Sequence, residues 1–177
     1  MKVIIVGYRA AGKSTVGQLL AARLKVPFRD TDLLVEESLG MSVKEIVALQ
    51  GWDFFRAREK ETIQKLSRTG ECVIATGGGV VLDSENIDLL KQMGAIVWLN
   101  APLPDIVERL RDDARSKATR PQFTEENIVQ ETTTLLKQRI PLYEKAAAVA
   151  IDSAGKSALQ IADEIYEKLP EMGLLMP

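Results

Sequence analysis

The chain has 177 residues, close to half of them apolar and about a quarter charged, and its formal net charge is −2. That length and balance predict one compact domain with a full core, and charge this even, without a run of either sign, gives nothing that suggests a nucleic-acid groove or a basic membrane-binding face. Histidine is absent, which excludes Ser-His-Asp triads, imidazole zinc sites and imidazole bases and leaves proton transfer to carboxylates, lysine, tyrosine or water.

Met1–Val6 is too short, and too soon followed by glycine, to be expected as a signal peptide, and no apolar run approaches the ~20 residues of a bilayer span. Val3–Val6 reads as a buried parallel strand. Lys13–Leu24, with Val16, Leu19, Leu20 and Leu24 at helical spacing, reads as the helix after it. Between them stands Gly7-Tyr8-Arg9-Ala10-Ala11-Gly12-Lys13-Ser14, a G-x-x-x-x-G-K-[ST] sequence in the strand-to-helix setting a phosphate-binding loop requires. Glycines let the backbone curl around an oxyanion, while freed N–H groups and the helix N-terminus supply positive potential. Lys13 then reaches the β- and γ-phosphates and the Ser14 hydroxyl a Mg2+ ion. Arg9 adds a phosphate contact or is simply a solvated charge. The motif by itself means nucleotide binding, and leaves kinase, ATPase, GTPase and regulatory switch open.

Pro27–Asp30 is expected as a short second strand ending in an acidic pair. On an extended segment Asp30 and Asp32 point the same way, one to position Mg2+ and the other to accept a hydrogen bond from an acceptor hydroxyl. The competing role is that Asp32 caps a helix starting near Leu33. Ser42-Val43-Lys44-Glu45 is a capping box that opens a helix stopping near Gly51. A further helix, Phe54–Ser67, carries Phe55-Arg56-Ala57-Arg58-Glu59, where Arg56 or Arg58 offers a planar fork to an anionic substrate. Cys72–Ala75 is a buried strand, and its thiol, alone in the sequence, reads as inert packing in a protein of the reducing cytoplasm. Thr76-Gly77-Gly78-Gly79 follows at once, as a flexible turn or as a place where backbone closely approaches a ligand.

A helix over Ser84–Met93, a strand over Ala95–Leu99 and a helix over Pro104–Arg111 continue the alternation. The pattern fails from Asp112 to Phe123, a stretch that suits a lid and closes on Arg120-Pro121. An arginine swinging in from there would offset charge developing on a transferring phosphoryl group. A longer helix is expected from Thr124 to Gln138, with Arg139 at its end, then a fifth strand at Ala148–Ile151 and an amphipathic helix at Ser157–Leu169. Such alternation predicts a parallel sheet between helical layers, with ligands beyond the carboxyl ends of its strands. Gly7–Ser14, Asp30–Asp32, Gly77–Gly79 and the segment after Leu99 all fall on that edge. Together they point to an ATP-dependent kinase acting on a hydroxyl of a small anionic metabolite.

The Gly7–Thr15 loop, D-T-D at Asp30–Asp32, F-R-x-x-E at Phe55–Glu59, the triple glycine, Arg120-Pro121 and Arg139-x-x-x-Tyr143 resemble, in order and spacing, the shikimate kinase family over about Lys2–Leu169. Met41–Val47 followed by Trp52 is similar to its enterobacterial type II branch. The resemblance implies an α/β fold: a P-loop three-layer α/β/α sandwich, nucleoside-monophosphate-kinase-like, with a five-stranded parallel sheet in the order 2-3-1-4-5. It implies a single kinase domain over residues 1–177, with a substrate-binding segment at about 31–61 and a lid at about 112–124. The implied reaction moves the γ-phosphoryl group of ATP to the 3-hydroxyl of shikimate, in aromatic amino-acid biosynthesis, in a cytoplasmic monomer. Ala10, Ala11, Gly12, Lys13, Ser14 and Thr15 would hold the nucleotide, and Ser14 and Asp30 would serve Mg2+. Asp32 would hold the ring hydroxyls as candidate base, Arg56 and Arg139 would clamp the substrate carboxylate, and Gly78 would touch substrate through its backbone. Arg120, from the lid, joins Lys13 and Asp32 in the implied catalytic set. Arg58 would belong to a charge network near the acidic pair, and Arg109 or Arg111 would stack on adenine.

Overall fold

The computed structural model describes residues 2–112 and 125–174. Strands β1 (Lys2–Val6), β2 (Phe28–Asp30), β3 (Cys72–Ala75), β4 (Ala95–Asn100) and β5 (Val149–Asp152) pair in parallel, in the order β2-β3-β1-β4-β5. Every residue of β1 is buried, because helices cover both faces. Val3 and Ile5 pack towards α1 (Lys13–Leu24), α5 (Leu103–Asp112) and α7 (Ala158–Lys168). Ile4 and Val6 pack towards α3 (Val43–Ser67), α4 (Ser84–Met93) and α6 (Glu125–Ala146). Period-2 alternation along one aliphatic strand thus feeds two cores, giving the expected three-layer sandwich.

Register sets the strand ends level. Asp30 and Ile5 both lie opposite Ala75, and Val6 lies opposite Trp98. The chain therefore leaves β1, β2 and β3 side by side, and Gly7, Thr31 and Thr76 start out as neighbours. A third cluster stands apart from the sheet: Val35 of α2 (Thr31–Leu39) packs on Val43, Ile46 and Phe55 of α3. Each such side chain contributes about 1.5–3 kcal/mol of burial, so the arm over residues 31–61 has a small core of its own.

Two expectations need correction. The chain is extended only to Asp30, and α2 begins at Thr31, so Asp32 stands in a helical first turn and not on a strand. The physical reason is that Asp30, rather than Asp32, is the N-cap, its Oδ1 accepting from the amides of Asp32 (3.1 Å) and Leu33 (3.3 Å). The helix stop expected near Gly51 is present: α3 consists of two helices that meet at a non-helical Gly51, φ 83, ψ 171. Helix α6 passes through Pro141 to Ala146 instead of ending near Gln138. The proline forfeits one helical hydrogen bond, but Tyr143 and Ala146 beyond it are buried against β4 and against Val80 and Val81 of the short 3-10 turn Val80–Leu82, and that packing carries the helix on.

Candidate active site

The loop between β1 and α1 is wound tightly. Gly7 has φ 149, and a Cβ there would stand 2.6 Å from the carbonyl oxygen of Leu99 on β4, so only glycine lets the two strands approach. Ala10 takes a left-handed φ of 59 and Gly12, the N-cap of α1, one of 97. The amide of Ala11 donates to Tyr8 O at 3.2 Å, and the Lys13 ammonium folds over the loop to donate to the same oxygen at 2.7 Å. Ser14 and Thr15 are exposed at the start of α1. Arg109, on α5, donates to Ala10 O at 3.2 Å, which places it against the loop; Arg111 is exposed.

Two carboxylates flank this loop in different ways. Asp30 spends Oδ1 on the α2 cap and with Oδ2 accepts the Ser14 hydroxyl at 2.6 Å. Paired hard oxygens beside a phosphate loop are the donor set Mg2+ takes, the rest of its shell being phosphate and water; the residues present fit that ion. Asp32 turns instead to the glycine run after β3. Between them Thr31, fully buried, accepts the Gly77 amide at 3.0 Å and ties β2 to the turn.

Each glycine of that turn has its own neighbour. A Cβ at Gly77 would stand 2.5 Å from Asp32 Oδ1 and 2.6 Å from Glu59 Oε1. One at Gly78 would be 3.0 Å from the Arg9 amide nitrogen in the phosphate loop, and one at Gly79 would collide with the Arg56 guanidinium. Three elements close in on this turn from three sides, which is why it is bare of side chains. The turn is thus a close approach and not a flexible connection.

The cationic wall comes from α3 and α6. Arg56 lies 5.2 Å from the Phe55 ring centroid and 5.5 Å from that of Trp52, and donates to Glu59 Oε2 at 2.6 Å. Glu59 is fully buried; burial raises its carboxyl above the ordinary glutamate range, while Arg56 draws it back and Asp32 raises it further. Arg139 donates to Gly78 O at 3.3 Å, and its guanidinium lies 5.7 Å from the Tyr8 ring centroid. The Tyr143 hydroxyl donates to the same Gly78 oxygen at 2.5 Å, its ring stacked on Trp98. Burial holds the Tyr143 phenol well above its ordinary range, so it remains a donor. Arg58 faces outward to Glu61 at 2.8 Å and to the Phe54 ring; the charge network near the acidic pair is that of Arg56 and Glu59.

A cavity of about 340 Å3 joins these groups, lined by Tyr8 and Arg9 of the phosphate loop, Asp32, Trp52, Phe55, Arg56, Gly77–Gly79, Glu131 and Arg139. Asp32, Arg56, Gly78 and Arg139, picked from the sequence, therefore share one chamber whose wall is the loop that carries Lys13. Arg120 and residues 113–124 of the expected lid lie outside the described residues. Sequence reasoning missed Thr31, Glu59, Tyr143 and Tyr8. The first three sat inside motifs without a role, and nothing marked Tyr8.

A family model described as "Shikimate kinase" matches residues 9–170. A shikimate kinase of Syntrophus aciditrophicus is 44% identical, covering 94% of this chain and 89% of that one. Shikimate kinase 2 of Yersinia enterocolitica is 40% identical over 94% of this chain and 92% of its own. Among solved structures, the shikimate kinase of Acinetobacter baumannii in complex with shikimate superposes with a TM-score of 0.89 at 34% identity, covering 99% of this chain and 95% of that one.

Proposed function

Because this chain belongs to the shikimate kinase family, we propose that its cavity holds shikimate with the 3-hydroxyl facing the phosphate loop and passes the γ-phosphoryl group of ATP to it. The observation that carries this reading is the shared wall: Tyr8 and Arg9 of the loop line the same chamber as Asp32, Arg56 and Arg139. A small anion bearing hydroxyls suits that lining, with two guanidiniums for a carboxylate and one carboxylate for hydroxyls.

In this reading Arg56 and Arg139 clamp the substrate carboxylate, and the Gly78 backbone, fixed by Tyr143, lies along the ring. Asp32 accepts the hydrogen bond of the attacking hydroxyl and orients it. A loose phosphoryl-transfer transition state asks for in-line positioning and charge neutralisation more than for a strong base. The amides of Ala10–Thr15 and the Lys13 ammonium hold the β- and γ-phosphates. Ser14 and Asp30 hold Mg2+, which supplies charge neutralisation on the phosphates. Arg120 takes the lid role over the triphosphate, and Arg109, beside the loop, is favoured over Arg111 for the adenine. We read the enzyme as a single-domain monomer of the cytoplasm; no described helix is long and apolar enough to cross a membrane.

Coupled ADP release with shikimate, quinate and gluconate as acceptors tests the assignment. Turnover dependent on shikimate is expected. Turnover with gluconate alone would move the protein to a polyol-acid kinase, and nucleotide binding without turnover on any acceptor would make it a switch.

A further inference from the structure

We propose that Tyr143 is a positioning residue for the acceptor site: its hydroxyl pins the glycine turn and, through the turn, sets where Arg139 and Arg56 stand. Tyr143 is fully buried on α6, and its ring stacks on Trp98 of β4 with centroids 6.0 Å apart and planes at 18°. From there the hydroxyl reaches Gly78 O at 2.5 Å. Arg139, one helical turn earlier on α6, donates to the same oxygen at 3.3 Å. A carbonyl offers two lone pairs, and the shorter of these two bonds comes from the phenol. The sheet thus fixes the ring, the ring fixes the hydroxyl, and the hydroxyl fixes the carbonyl.

Gly78 has no side chain to hold it, so its place depends on what its backbone touches. One side is wedged against the phosphate loop, where a Cβ would stand 3.0 Å from the Arg9 amide nitrogen and 3.4 Å from Gly7 O. Thr31, fully buried, accepts the Gly77 amide at 3.0 Å, and Tyr143 takes the next carbonyl. Two buried hydroxyls therefore pin two successive residues of the turn. Gly79, next along the chain, packs directly against the Arg56 guanidinium. A shift of the Gly78 carbonyl would move both guanidiniums, Arg139 through the shared oxygen and Arg56 through its contact with Gly79. Burial holds the phenol above its ordinary range, although Arg139 beside it draws it down, so it keeps the proton it donates.

Removing the hydroxyl alone leaves the ring and its stack on Trp98 in place. Gly78 O is then left with the longer Arg139 bond, alone among the described residues. The guanidinium that should turn to a substrate carboxylate becomes the group holding the turn. The clamp loosens while Lys13, Ser14 and Asp30 keep their own contacts. This consequence for binding rests on the assignment of the cavity given above; the pinning of the turn does not.

Tyr143→Phe is the test. Steady-state kinetics should show the KM for shikimate raised about 3- to 10-fold, as for the loss of one hydrogen bond, with kcat within about twofold of wild type and the KM for ATP unchanged. A purely structural role would lower kcat and weaken ATP binding together with shikimate. That outcome, or kinetics equal to wild type, overturns the proposal. Amide hydrogen exchange needs no substrate: residues 76–79 should exchange faster in Tyr143→Phe, with the phosphate loop Gly7–Ser14 unchanged. A turn that exchanges as in wild type would equally end the proposal. Should Tyr143→Phe fail to fold, magnetic resonance of the wild-type protein with labelled tyrosine decides. One slowly exchanging hydroxyl proton is expected, and its absence means that the hydroxyl pins nothing. A wild-type protein that does not turn over shikimate would sink the substrate assignment and leave the exchange result standing, so the two failures are distinct.

Discussion

Ala10 holds a left-handed backbone, φ 59, at the centre of the phosphate loop. A Cβ in that region costs on the order of 1 kcal/mol, which glycine avoids. Ala10→Gly should accordingly raise unfolding stability by about 0.5–1 kcal/mol, read as a higher denaturant midpoint at constant slope. Asp32 and Arg139 separate the two halves of the proposed chemistry. Asp32→Asn keeps the size of the side chain but offers the hydroxyl a poorer acceptor, and should lower kcat about 10- to 100-fold with a small change in KM. Arg139→Ala removes a charged hydrogen bond to substrate, worth about 1.5–3 kcal/mol, and should mainly raise the KM for shikimate. Steady-state kinetics with each substrate varied checks both, and a change confined to ATP affinity would overturn the division of roles. The local motifs were legible because their chemistry is written in adjacent residues: Gly12-Lys13-Ser14 opens a helix whatever else surrounds it. Thr31 was not legible, because its partner, the Gly77 amide, comes from another element and only the fold makes the two neighbours.

Among the elements, the alternation of strands and helices read correctly wherever one face was apolar, and failed where a single residue sets the boundary. Asp30 ends β2 by capping α2, and a three-residue strand gives too little alternation to reveal it. The helix expected to end near Gln138 runs on through Pro141, and the buried Tyr143 lies beyond that point. Gly51, read as the end of a helix, is where the backbone leaves the helix, in a kink at which the two halves of α3 meet. At φ 83, ψ 171 it lies in a region almost reserved for glycine, and a Cβ there would meet nothing within 4 Å. Gly51→Ala therefore incurs backbone strain alone, about 1–3 kcal/mol. Relief of that strain would rotate the first half of α3 against the second, which carries Trp52, Phe55 and Arg56 into the cavity. Two measurements test this: lower stability in urea, and a raised KM for shikimate with ATP affinity unchanged. Loss of ATP affinity alone would show that the bend serves the loop instead.

On the scale of the molecule, the parallel sheet brings two binding surfaces to one edge and then presses them together. Ser14 reaches Asp30, the Arg9 backbone lies against Gly78, and the Arg139 guanidinium leans over the Tyr8 ring. No spacer separates the phosphate loop from the acceptor chamber, so an arrangement of the loop that suits phosphates also sets Tyr8 and Arg9 on the acceptor wall. Packed interiors of this kind take discrete arrangements and do not deform freely, so each ligand should favour the arrangement the other needs. Calorimetric titration of shikimate with and without a non-hydrolysable ATP analogue and Mg2+ should give a tighter Kd in the loaded protein, by about fivefold or more. Linkage then requires the analogue to bind more tightly, by the same factor, when shikimate is present. In Tyr8→Ala, which leaves the loop glycines and Lys13 in place but removes the ring beneath Arg139, that factor should fall towards one. Equal affinities in loaded and unloaded wild-type protein would mean that the shared wall is rigid, with the loop and the chamber independent despite their contact.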